Sequence, residues 1–208
     1  MSRLGKSIDI INIKSIHVWP LDLFPPSALN KKAGRKCIDY TFGVKVANRD
    51  DIHDILADVE DHTLTQSDHP MFSGCALFSH LVINTELDVD AAKWQLKTWC
   101  AAGFRKQERL WADSQSSQIA VSFQESSPKL APQPLWVWRG DGVQLWIAVM
   151  DTARDEMYFL YEDNFLINAN DLESLRKIVV KMASIMSWGH DHYTPWFRQL
   201  IRRDDLTS

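Results

Sequence analysis

The stretch Leu135–Tyr161, LWVWRGDGVQLWIAVMDTARDEMYFLY, decides the fold class. Leu135 to Arg139 reads as a strand, and Gly140-Asp141-Gly142 supplies a hairpin turn. Val143, Leu145, Ile147 and Val149 then recur at every second position, Asp151 to Asp155 makes another turn, and Met157, Phe159 and Tyr161 repeat the same period. Successive strand residues point to opposite faces, so a period of two held across tight turns is an antiparallel meander. Such a sheet has an apolar face that something else in the chain must cover.

Reading outward, Ile38, Tyr40, Phe42, Val44 and Val46 alternate with Asp39, Thr41, Gly43 and Lys45, which predicts the clearest strand in the chain. Ser7 to Val18 is rich in isoleucine and changes phase partway, the pattern of a bulged strand. Cys75 to Ile83 is apolar except for Ser79 and His80, which predicts a strand buried on both sides, with His80 a core histidine. Ile119, Val121 and Phe123 suggest one more strand. The covering layer comes from helices. Ile52, Ile55, Leu56 and Val59 share a stripe in Asp50–Asp61, and Ala92, Leu96 and Trp99 share one in a helix from about Asp90 to Ala102, ended by Gly103. Asn170 and Glu173 form a capping box before a helix from Asp171 to about Ser187, whose core face is Leu172, Leu175, Val179, Met182 and Met186. Thr194-Pro195 opens a last short helix. The expectation is an α+β fold: a mixed or antiparallel sheet with a C-terminal β-meander and about three main amphipathic helices packed on it. Residues 1 to 208 read as a single domain, with a two-lobed division near 104 to 134 as the alternative.

With 45% hydrophobic and 24% charged residues, the chain is neither disordered, collagenous nor coiled-coil. Only 8 Gly and 8 Pro argue against a Gly-rich phosphate-binding loop, and no motif calls for a cofactor, so none is expected. Three cysteines without metal-ligand or disulfide spacing fit reduced thiols in a cytoplasm. The longest apolar runs fall short of the ~18 residues of a membrane span, so no membrane partner is expected. The net charge of -4 hides a segregation: residues 1 to 49 hold nine Lys/Arg and three Asp/Glu, whereas residues 50 to 90 hold ten Asp/Glu and no Lys or Arg.

That acidic span supplies the leading site. Asp54, Asp58 and Asp61 share the polar face of their helix and repel one another by a few tenths of a kcal/mol per pair, so a basic partner would relieve them. Trp94 lies away from the Ala92–Leu96–Trp99 stripe; its position predicts exposure, and exposed Trp serves as an interface anchor. His190 and His192 are candidate metal ligands at i, i+2 spacing, with His62, Asp68 and His69 as further donors, against the alternative of surface histidines near a helix end. Lys31, Lys32, Arg35 and Lys36 are candidate phosphate contacts in a loop. Among the nine Trp, Trp136 and Trp138 share one strand face, and Trp146 on the neighbouring strand is open to either; they offer a stacking platform or a Trp-rich core.

No nucleophile elbow, Walker loop or metal-hydrolase motif is found, so the expectation is a non-catalytic protein that binds another, basic protein through Asp54, Asp58, Asp61 and Trp94. An inhibitor or immunity-type protein is its concrete form. The alternatives are a nucleic-acid-handling protein using the basic segments and Trp platforms, and a metal-dependent hydrolase. Sequence leaves the oligomeric state open.

Overall fold

A computed structural model describes residues 8–12, 23, 38–46, 63–72, 74–84, 89–116, 130–140, 142–161, 167–168 and 171–201. It has the expected α+β architecture. Strands β1 (Ile8–Asn12), β2 (Tyr40–Lys45), β3 (Cys75–Asn84), β4 (Gln133–Arg139), β5 (Gly142–Asp151) and β6 (Glu156–Tyr161) lie side by side in chain order, and β7 (Ile167–Asn168) pairs with the start of β5. All pairs are antiparallel except β3–β4, which are parallel. Parallel neighbours need a crossover connection, and this one carries the helix α1 (Val89–Ser116). Helices α2 (Leu172–Trp188) and α3 (Thr194–Ile201) follow the meander and are joined by a π-helical turn, Gly189–Tyr193.

The sheet separates two apolar cores. One face brings Cys75, Leu77, Val82, Leu135, Val137 and Ala148 against Ala92, Leu96, Trp99, Cys100 and Phe104 of α1. The other brings Phe42, Val44, Ala76, Phe78, Leu81, Trp136, Val143 and Leu145 against Ile178, Tyr193, Phe197 and Leu200. Trp136 and Trp138 share the second face as expected, whereas Trp146 packs on the first. Trp136 of the sheet and Trp99 of α1 are fully buried and fill the core, so Trp136 offers no stacking platform.

Three features differ from the sequence reading, and one adds to it. The expected strand β2 is buried on both faces: Thr41 is 0% exposed, and Gly43 sits so close to β3 that a Cβ there would be 3.1 Å from Leu77 Cδ2. Small or hydrogen-bonded residues at these positions allow close packing on that side. Helix α1 also runs through Gly103 to Ser116, well past the expected end. A glycine stops a helix only when nothing else holds the next turn; here it allows close approach, since a Cβ would meet Gln133 Nε2 at 2.9 Å and Gln66 Nε2 at 3.1 Å. On α2 the first half of the expected core stripe is turned outward, with Leu172 84% and Val179 63% exposed, whereas its second half, Met182 and Met186, packs on the core with Ile185, behind the buried Ile178. The cap of α2 lies one residue later than expected: Asp171 accepts from Ser174 N at 2.8 Å. Asp50–Asp61 and Ile119–Phe123 lie outside the described residues.

A bulge breaks the alternation of β3. Phe42 pairs with Ser79 and Gly43 with Leu77, leaving Phe78 opposite no residue. Phe78 and Ser79 therefore both turn toward the α2–α3 side, and beyond them His80 and Val82 return to the α1 side.

Candidate functional site

The bulge places a polar seam in the centre of the sheet. Thr41, Ser79, His80 and Gln133 are buried there on three adjacent strands, with Gln66, Lys106 and Gln107 buried beside them. Lys106, 2% exposed, is the one lysine buried among the described residues. His80 Nδ1 lies 2.9 Å from Thr41 Oγ1, and His80 Nε2 lies 3.2 Å from Gln133 Oε1. Both contacts are satisfied at once when the Thr41 hydroxyl donates to Nδ1 and Nε2–H donates to the Gln133 carbonyl. The Thr41 hydroxyl also lies 3.1 Å from the carbonyl of Ser79, an alternative acceptor for the same proton. On the opposite face Ser79 Oγ donates to Pro134 O at 2.8 Å and accepts from Trp136 Nε1 at 3.2 Å.

Burial holds the His80 ring neutral: desolvation lowers its pKa to about 3, against the smaller upward pull of its bond to Gln133. A ring so poised does not exchange protons near neutral pH, and its edge-on contact with Trp99 fixes it further, with ring centroids 6.0 Å apart. The seam continues through Tyr193, whose hydroxyl donates to Leu77 O at 2.7 Å and accepts from Gln107 Nε2 at 3.5 Å. Burial pushes this phenol well above its usual range. The sheet, α1 and the π-helical turn are thereby tied together by polar contacts in a low-dielectric interior, where such bonds are strong and costly to leave half-made.

A second polar region surrounds the β5–β6 turn. Asp151 Oδ1 accepts from Ala153 N at 3.1 Å and Arg154 N at 3.3 Å, and Asp155 takes a left-handed conformation, φ 53°. The half-buried Glu108 of α1 has its carboxyl pushed up by desolvation and then by the charge of Asp155, with Arg105 opposing. Among the described residues, no group of three or more His, Cys, Asp or Glu is gathered so as to hold a metal ion.

The residues singled out by sequence do not converge on either region. His190 and His192 lie in the π-helical turn rather than on a strand, and side chains two apart on a helical turn diverge. His190 Nδ1 instead meets Asp191 Oδ1 at 2.7 Å. That contact, with a bond from Ser187, holds the Asp191 carboxyl below its usual range. Of their proposed companions, Asp68 is exposed, the His69 ring packs edge-on against Phe72, and His62 is not among the described residues. Trp94 is half-buried against the α1-side core rather than free, because the sheet and hairpin of this same chain provide the second layer that its position calls for. Asp54, Asp58, Asp61, Lys31, Lys32, Arg35 and Lys36 lie outside the described residues. What sequence reading missed was the seam. The signal present was a pair of polar residues, Ser79-His80, inside an otherwise apolar strand.

Residues 6–194 match the family model of the PD-(D/E)XK nuclease superfamily. The chain belongs to the PD-(D/E)XK nuclease superfamily. No curated protein and no solved structure matches it. Membership in a nuclease superfamily overturns the expectation of a non-catalytic protein of inhibitor or immunity type, and it fits the metal-dependent hydrolase alternative better. The reason for the miss is physical as well as textual. The superfamily is named for a Pro-Asp pair and an Asp/Glu-X-Lys triplet, and the 208 residues contain neither. The match is to the span 6–194 as a whole, and no short run with the named spacing marks it.

Proposed function

We propose that this PD-(D/E)XK superfamily member is a nuclease, hydrolysing phosphodiester bonds of nucleic acid in the cytoplasm. The observation that carries the reading is the extent of the family match, which runs from before β1 to the first residue of α3. In such a reaction water adds to phosphorus and a P–O bond to the leaving oxygen breaks; charge builds on the phosphoryl oxygens, where a cation stabilises it. Divalent ions commonly serve that role. The described residues do not fit one, so no step is routed through a metal, and the carboxylates and cation of a nuclease site must be drawn from spacings other than the named motif. His80 supports the site by position alone, because its ring stays neutral down to about pH 3.

Two observations support a cytoplasmic setting. No helix among the described residues is long and apolar enough to cross a membrane, and Cys75 and Cys100 are buried thiols outside any disulfide. The test is direct. Purified protein is incubated with single- and double-stranded DNA and RNA, in magnesium, in manganese and in chelator. Cleavage in at least one metal-containing arm that follows the protein through its last purification step is expected. Intact substrate in every arm refutes the reading.

A further inference from the structure

We propose that Lys93 and Lys97 of α1, laid over Trp146 and Phe159 of the β5–β6 hairpin, form a contact surface for the phosphodiester backbone of nucleic acid. The proposal rests on the nuclease reading and names where that substrate is gripped. Trp146 and Phe159 are diagonal neighbours on adjacent strands, with ring centroids 6.4 Å apart and planes at 67°. Lys93 Nζ lies 5.0 Å from the Trp146 centroid, and Lys97 Nζ lies 5.2 Å from that of Phe159. One helical turn separates the two lysines, so both ammonium groups stand on the same edge of α1.

A ring face attracts an ammonium from one side and leaves N–H donors pointing away from it. Two lysines held in this way lose less rotamer freedom on meeting an anion than lysines free in solvent would. Neither charge is strongly spent within the chain. Lys97 makes no ion pair with a described residue, and Lys93 reaches only Asp90, at 4.0 Å, whose side chain is 96% exposed. Two cations one turn apart suit a ligand that repeats its negative charge, and half-buried aromatic rings beside them suit the bases that accompany each phosphate. The acidic groups of the hairpin, Asp151, Asp155 and Glu156, sit at its turn, at the other end of β6 from Tyr161.

The experiment measures binding of a fluorescent duplex of about 20 base pairs, and of a single strand of similar length, without divalent metal and between about 50 and 200 mM salt. Wild type is compared with K93Q/K97Q, with the charge-conserving K93R/K97R, and with K177Q/K181Q on α2 as a control. K93Q/K97Q should lower the slope of log K against log salt by about 1.8 for the duplex, close to 0.9 for each phosphate that a lysine no longer neutralises. K93R/K97R should keep the wild-type slope, and the control should leave it unchanged. Circular dichroism melting confirms that each variant is folded. Wild-type binding with an unaltered K93Q/K97Q slope overturns this inference and leaves the nuclease reading standing. An equal loss in the α2 control also overturns it, since the effect is then general charge. Failure of wild type to bind either nucleic acid, together with intact substrate in the cleavage assay, sinks both. Capture of polyglutamate and not of DNA assigns the surface to an acidic protein, against the proposal.

Discussion

Lowering the pH from 7.5 to 5 should destabilise the protein by about 2 kcal/mol through His80 alone. The unfolded chain offers this histidine a pKa near 6.5, while burial in the folded sheet lowers it to about 3. A depressed folded-state pKa gives stability that is complete above the unfolded value and drains away as pH falls, because the unfolded chain takes up the proton first. The slope is about 1.4 kcal/mol per pH unit in the window from 6.5 to 3, and roughly one and a half units of it lie above pH 5. Urea unfolding followed by tryptophan fluorescence reads the change, since a 2 kcal/mol loss shifts the midpoint by about 1 M for a slope near 2 kcal/mol per M. Other ionisable groups contribute a background, so the decisive comparison is His80→Gln. Glutamine keeps a polar group in the seam and cannot titrate, and its own midpoint should move much less between the two pH values. If wild type and His80→Gln lose the same stability from pH 7.5 to 5, the neutral buried imidazole is not what the seam contains.

Other consequences follow from the same core. Thr41→Val removes the hydroxyl that meets His80 Nδ1 while keeping shape, and should cost about 1 to 3 kcal/mol in the same urea assay because a buried ring nitrogen is left unpaired. Gly189→Ala would place a Cβ 2.5 Å from the Phe78 ring, and should cost about 3 kcal/mol or prevent folding, read as a loss of melting temperature. Cys100 is buried and its thiol is pushed well above its usual pKa, so thiol reagents should modify it in urea and leave it untouched in the native state; rapid native labelling at Cys100 would contradict its placement.

The sheet was legible because its signals are local. The meander of β4 to β6 follows from turns and two-residue periods, and the apolar run of β3 announced a strand covered on both faces. Helix limits were less legible. Gly103 reads as a stop until Gln66 and Gln133 are found against it, and those partners come from elsewhere in the chain. The stripe Leu172, Leu175 and Val179 reads as core because periodicity identifies a face without saying what it meets. Trp94 shows the same gap from the other side, since the layer that half-covers it belongs to the fold and not to its own helix. Of the chemistry, the His80 seam left a local trace in the sequence, whereas the superfamily left one only over the length of the chain, because the short motif for which it is named is missing here.

The unpaired Phe78 acts on β3 as a change of parity. Every side chain beyond it is assigned to a face by a count that includes one residue with no partner on β2. Deleting Phe78 itself would leave the later side chains on their faces, because Leu77 and Ser79 would then simply alternate, whereas inserting a single residue between Ser79 and His80 would exchange the two surfaces of the strand's second half. After that insertion the imidazole of His80 would leave Thr41 and Gln133 for the α2–α3 core, and Leu81 would turn to the α1 side. The length of this strand is therefore under tighter constraint than the identity of most of its residues. A survey of tolerated changes should find substitutions accepted along β3 beyond the bulge where single insertions and deletions are not.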